Sequence, residues 1–316
     1  MIPDAHRDAV TNALQAAFGV AAPDKISPLT EGMSQSLVYR LEIAGRSYAL
    51  RIHLRTYGAN PTQHFAYMQQ AADAGIAPRV HYASEADKIV ITDFITRAPL
   101  PADMIGVLAP VLRTLHELPP FHESVDQFAV IETFVAQFAS FFPVDDLFDR
   151  YAEVAAVFPR TSDRVSSHHD LKPENLAFDG ERLYLLDFEA AFLDDRNFDL
   201  VIPGNFFVRS DDDVERYLAR YYGAPASPGQ RARYELIRIT EHVFYAVFLA
   251  SLVKRAGLTC DTEPAEDFAA FHGKLLGGLI VRAPEDQLRY AKVHAAEGLR
   301  RVHAPRFHEW LVRARD

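Results

Sequence analysis

The chain has 316 residues, 49% of them hydrophobic and 24% charged, with a formal net charge of −10 at pH 7. That length and composition suit a globular protein of one large domain or two linked lobes, and the acidic balance argues against nucleic acid, whose phosphates need a basic footprint. No run of 18 apolar residues suggests a membrane span, the opening MIPDAHRDAV has neither the basic flank nor the apolar run of a signal peptide, and Cys260 has no second cysteine to pair with. The expectation is a cytoplasmic protein with no membrane or nucleic-acid partner, a homodimer being left open. The acidity is uneven: residues 1–96 carry 8 basic and 9 acidic side chains, leaving 25 of the 33 basic and 34 of the 43 acidic ones to the rest. An acidic cleft there would favour a cationic substrate, although acidic surface also serves solubility alone.

In chain order, Val10, Leu14 and Phe18 fall at helical spacing within residues 5–18, and Gly19 follows as a stop. Residues 36–43 and 47–53 read as two strands joined by a turn at Ala44-Gly45. Asn60-Pro61-Thr62 opens a helix running toward Gly75, with Asn60 at the N-cap and Pro61 in the first turn. Residues 78–82 and 88–94 are two more short strands. After Pro99 and Pro101 the pattern turns helical, over 104–118, 130–142 and 146–158. A polar loop and two short strands (176–178 and 183–187, turning at Asp179-Gly180) interrupt it, and helices resume near 212–222, 229–256, 263–276 and 285–302. The spacing predicts a small β-rich lobe over 1–95 and a larger helical lobe over 96–316.

Chemistry concentrates in Ser167-His168-His169-Asp170-Leu171-Lys172-Pro173-Glu174-Asn175, and then in Asp187-Phe188-Glu189 after the apolar run Leu183-Tyr184-Leu185-Leu186. A carboxylate placed directly after such a run needs a metal or hydrogen-bond donors to offset its burial. Phosphoryl transfer supplies that need: one carboxylate takes or orients the proton of an attacking hydroxyl, while a second carboxylate and an amide oxygen offer hard ligands to Mg²⁺. Asp170 suits the first role, Asn175 and Asp187 the second.

These motifs resemble the aminoglycoside phosphotransferase and choline kinase branch of the protein-kinase-like superfamily. HHDLKPEN is similar to its H-x-D-x-x-x-x-N loop and LLDFE to its metal-binding segment. Leu112–Pro119 resembles its L-x-x-L-H-x-x-P helix end, and Phe198-Asp199-Leu200 its D-L-A segment, whose Asp braces the catalytic loop. The resemblance implies an α+β, two-lobed kinase-like fold with a five-stranded antiparallel sheet and one helix in the N-lobe. It implies an ATP- and Mg²⁺-dependent transfer of the γ-phosphate to a hydroxyl of a small molecule, choline-, thiamine- or aminoglycoside-like. HHDLKPEN also differs by one letter from the protein-kinase loop HRDLKPEN. Against that reading stand the lack of G-x-G-x-x-G, D-F-E in place of D-F-G, and no A-P-E segment. A protein kinase and a pseudokinase binding module remain the alternatives.

By the same resemblance, Lys172 neutralises the transferring phosphate. Gly32, Ser34 and Ser36 form a phosphate-facing turn, Arg51 binds α- and β-phosphates, and the backbone of Asp93 to Ile95 meets adenine. A helix glutamate should pair with Arg51 near residues 63–66, and His64 stands there instead. Glu189, Glu241 and Tyr245 are candidates for the acceptor side, where a carboxylate beside aromatic rings suits a quaternary ammonium.

Overall fold

Side chains on a strand alternate between faces, and the first hairpin shows which face meets the core. The computed structural model describes residues 2–29, 36–54, 63–142, 145–159, 164–260 and 263–316. In it Tyr39, Leu41 and Ile43 on one strand and Tyr48, Leu50 and Ile52 on the next are buried in one cluster with Val10, Ala13 and Leu14 of α1 (Arg7–Phe18). The sheet holds β1 (Lys25–Leu29), β2 (Leu37–Ile43), β3 (Arg46–Ile52), β4 (Val80–Ser84) and β5 (Ile89–Asp93), antiparallel throughout and ordered β1-β2-β3-β5-β4. With Leu50 and Ile52 in the core, alternation sends Arg51 to the opposite face. The register sets Arg51 beside Val38 and Val90. Helix α2 (Gln63–Asp73) lies between β3 and β4 in the chain, while the predicted cap at Asn60 falls outside the described residues.

Packing divides the chain into two compact units, and the division does not follow the 95/96 boundary read from the sequence. The first unit comprises residues 1–102, 117–119 and 174–191, and the second comprises 103–116, 120–173 and 192–316. The reason is local: the hairpin of β7 (Leu176–Phe178) and β8 (Leu183–Leu185) bonds to the N-terminal residues. Leu185 N–H donates to Ile76 O at 2.8 Å and Ala98 N–H to Phe178 O at 2.7 Å.

The second unit is mainly helical. It contains α3 (Met104–His116), α4 (Gln127–Phe138) and α5 (Asp145–Val157), and a two-stranded ladder of β6 (Arg164–Ser167) with β9 (Phe192–Asp195). Then follow α6 (Arg196–Phe207), α7 (Asp211–Tyr222), α8 (Pro228–Arg255), α9 (Phe268–Leu276), α10 (Pro284–Val302) and α11 (Phe307–Arg313). Helix α8 begins with a capping box, Ser227 with Gln230, and Pro228 in its first turn. It is long and apolar enough to cross a membrane by length and composition, yet most of it is buried, as befits a core helix.

Candidate active site

The first unit assembles a charged group on the sheet face opposite α1. Arg51 Nη1 lies 2.8 Å from Asp187 Oδ1 and 3.4 Å from Glu189 Oε1, with the three side chains 23%, 16% and 18% exposed. His53 Nδ1 is 2.8 Å from the same Glu189 oxygen, and the Ser36 hydroxyl donates to it at 3.3 Å. Burial alone would lower the guanidinium's pKa, but the charges of Asp187 and then Glu189 outweigh it and raise the value. Burial likewise pushes Glu189 upward, and the hydrogen bond from His53 overcomes this to leave it lowered. Both partners are therefore held in their charged forms.

The acid expected on α2 is thus supplied by the segment after β8. Among the described residues His64 takes no part in an ion pair: burial and the neighbouring His53 lower its imidazole to about 4, leaving it neutral. Its ring lies 4.9 Å from that of His53.

Asn175 and Asp187 stand at the two open ends of the β7–β8 hairpin. The register pairs Leu176 with Leu185, and Leu186 N–H continues the ladder to Asn175 O at 2.9 Å. Asp187 therefore follows directly on the residue opposite Asn175. Its backbone is left-handed, with φ 67° and ψ 72°, which costs a non-glycine residue on the order of 1–3 kcal/mol and recurs at functional positions. An amide oxygen and a carboxylate are the hard donors Mg²⁺ takes, and the backbone register brings the two residues that carry them close together, so this pair fits the metal. Among the described residues no three His, Cys, Asp or Glu side chains gather as a metal cluster.

The remaining nucleotide-side expectations divide. Gly32 and Ser34 lie outside the described residues, whereas Ser36 is placed against Glu189 and His53. Asp93 N–H donates to Arg79 O at 2.9 Å and Asp93 O accepts from the Thr92 hydroxyl at 3.2 Å, so its N–H is already used at the end of β5. The Asp93 carboxylate lies 2.7 Å from His81 Nε2. Ile95, just beyond β5, makes no backbone–backbone hydrogen bond among the described residues, which leaves it the better candidate for adenine.

The second unit holds the loop that bears Asp170. Asp199, fully buried on α6, accepts from His168 N–H and His169 N–H at 2.7 Å each, one bond to each carboxylate oxygen. His116 Nε2 of α3 lies 3.1 Å from Asp199 Oδ2, and its Nδ1 lies 2.7 Å from the Tyr221 hydroxyl. Burial would raise Asp199, but the His116 hydrogen bond and the surrounding imidazoles lower it to about 2. His169 itself is left-handed at φ 61°, and its ring stacks on Phe192 at 3.8 Å. Beyond this clamp, Lys172 Nζ lies 2.8 Å from Asp170 Oδ2.

Glu241 and Tyr245 sit one turn apart on α8, also in the second unit, whereas Glu189 belongs to the first. Glu241 is 2% exposed, and burial, followed by the charges of Asp194 and Asp199, raises its carboxyl to about 8. Asp194 is raised to about 8 as well, mainly by burial. Tyr245 stacks on His294 at 4.8 Å, and Phe244 on Phe248 at 5.6 Å. The role of His53 was missed in the sequence, yet a signal existed: it lies two residues beyond Arg51, and strand alternation puts both on one face.

This fold, a five-stranded antiparallel sheet followed by a helical region, is that of the protein-kinase-like phosphotransferases. Residues 25–236 match the model of the phosphotransferase enzyme family, and the chain belongs to that family. Among solved structures it is similar to a choline/ethanolamine kinase family protein from Mesorhizobium loti (20% identity, 98% of each chain covered, TM-score 0.68). It is also similar to the choline kinase LicA from Streptococcus pneumoniae (17% identity, 85% of this chain and 96% of that one, TM-score 0.58). A third is spectinomycin phosphotransferase in complex with ADP and spectinomycin (15% identity, 91% and 98% covered, TM-score 0.56). No curated protein matches the chain.

Proposed function

We propose that the chain is an ATP- and Mg²⁺-dependent kinase that phosphorylates a hydroxyl of a small cationic molecule. The observation that carries this reading is the Asp199 clamp. Two charge-assisted hydrogen bonds to the buried Asp199 fix the backbone immediately before Asp170, the arrangement a positioned catalytic carboxylate needs. Asp170 accepts the proton of the acceptor hydroxyl as its oxygen bonds to the γ-phosphorus and ADP leaves. Lys172, paired with Asp170, offsets charge on the transferring group. Asn175 and Asp187 would hold Mg²⁺, which would supply Lewis-acid stabilisation of charge on the phosphates. Arg51 binds the α- and β-phosphates through its planar fork, and the backbone at Ile95 meets adenine. The spectinomycin enzyme's ADP supports the nucleotide assignment.

For the acceptor, Glu241 supports a cation. A carboxyl held near 8 by burial ionises when a positive group arrives to compensate it, and Tyr245 follows one turn along α8. The test is Mg·ATP consumption against a panel of hydroxylated amines, antibiotics and sugars, with Asp170→Ala alongside. Turnover should favour the amines and fall about 10²–10⁴-fold in the variant. Equal turnover by both proteins would remove Asp170 from the mechanism.

A further inference from the structure

Among the described residues Arg51 carries the obligatory positive charge in the cluster on its sheet face, and the helix that should balance it offers His64, a neutral imidazole. Glu189 Oε1 is the atom on which three neighbours converge: His53 Nδ1 at 2.8 Å, Ser36 Oγ at 3.3 Å and Arg51 Nη1 at 3.4 Å. An ionised carboxylate is an acceptor only, so the short His53 contact fixes that imidazole with its proton on Nδ1. His53 is 7% exposed and is flanked by the rings of His64 at 4.9 Å and Phe65 at 5.2 Å, which leave its ring little freedom to turn. The strongest bond to Glu189 is thus the one from His53, and the longer contact to Arg51 depends on where that bond places the carboxylate.

We infer that His53 is a positioning residue, which holds Glu189 as the standing counter-ion of Arg51 in place of the missing helix acid. The consequence for function is that Asp187 need not serve as the sole balance for Arg51 and can turn to metal. This inference rests on the assignment of Arg51 to nucleotide phosphates, and the experiment separates the two.

Equilibrium binding of Mg·ADP is measured by titration calorimetry for the wild type, His53→Leu, His53→Gln, Glu189→Gln and the double variant His53→Leu/Glu189→Gln. His53→Leu should weaken Mg·ADP about tenfold, equivalent to ~1.4 kcal/mol. His53→Gln, which keeps a donor, should recover most of the affinity. The double variant should bind no more weakly than Glu189→Gln alone, because a residue that acts through Glu189 has nothing left to position. In turnover assays the KM for ATP should rise while the KM for the acceptor stays unchanged. If His53→Leu binds Mg·ADP like the wild type, or if the two single effects add, His53 does not position Glu189. If the wild type binds no Mg·ADP at all, the nucleotide assignment of Arg51 fails, and the role given to His53 falls with it. Should His53→Leu fail to fold, His53→Ala and the double variant His53→Ala/Glu189→Gln take its place, and additive losses would overturn the inference.

Discussion

Buried acidic side chains of the two units end at opposite ends of the pH scale because their neighbours differ. In the first, Asp187 and Glu189 are less than a fifth exposed and sit against Arg51, and Glu189 is drawn below the usual carboxylate range. In the second, Glu241 and Asp194 are equally removed from water but lie near other acids, and both are raised to about 8. Desolvation raises all of them; the outcome turns on whether hydrogen-bond donors and cations outweigh it, as His53 and then Arg51 do at Glu189. Asp199 shows that the rule follows the neighbours and not the unit, since it too is in the second, yet the His116 hydrogen bond and the surrounding imidazoles take it to about 2. The lesson is that a buried carboxyl announces its task through its neighbours: charged and paired where it organises backbone or cation, neutral and waiting where no counter-charge is built in.

The contrast can be broken experimentally. Asp199→Ala should have the largest effect, about 3–5 kcal/mol of lost stability, because His116 and the amides of His168 and His169 lose their shared acceptor in a buried place. Chemical denaturation measures it, and a loss under 1 kcal/mol would show that the clamp is dispensable. Next in size, Arg51→Met should leave Asp187 and Glu189 facing each other unbalanced. Stability should fall by ~2–3 kcal/mol at neutral pH and by less as the pH is lowered, because a protonated Glu189 no longer needs the cation. A loss independent of pH would place the effect in packing.

Glu241→Gln tests the other side of the comparison. With its pKa near 8 when folded and near 4.5 when unfolded, Glu241 stays protonated in the native state while the unfolded chain ionises. The unfolded state then binds fewer protons, so stability declines as pH rises from about 4.5 to 8, by up to ~1.4 kcal/mol per pH unit. Glu241→Gln should flatten that decline over the same window. An unchanged slope would mean that Glu241 is ionised in the folded protein. Smallest is Ser227→Ala, which removes the N-cap of α8 and should cost ~1 kcal/mol without altering the pH profile.

Much of this was legible in the sequence. Asp170, Asn175 and Asp187 stood out because polar residues at fixed spacing interrupt periodic segments, and the structure brings the last two to the ends of one hairpin. The likeness of Phe198-Asp199-Leu200 to a bracing segment pointed to Asp199, whose bonds to His168 and His169 provide that brace. Strand β1 carries Pro28, which mutes its pattern, and it pairs only with β2 at the sheet edge. Helix α6 escaped notice because it is buried on all sides and contains Pro203 and Gly204, so no polar stripe marks a period. The counter-ion of Arg51 was not legible because it comes from 138 residues away. Local spacing pointed to α2, where the family keeps its acid, and no sequence window joins residue 51 to residue 189.

The β7–β8 hairpin has a consequence for how this protein can be taken apart. Because it packs with residues 1–102, the N-terminal unit is not a contiguous module, and no single cut in the chain isolates it. A fragment ending at residue 102 would keep Arg51 while discarding both acids that neutralise it. Complementation between such a fragment and one beginning after it should therefore succeed only when the second carries residues 174–191. Modularity here is a property of the folded chain and has no counterpart in its linear order.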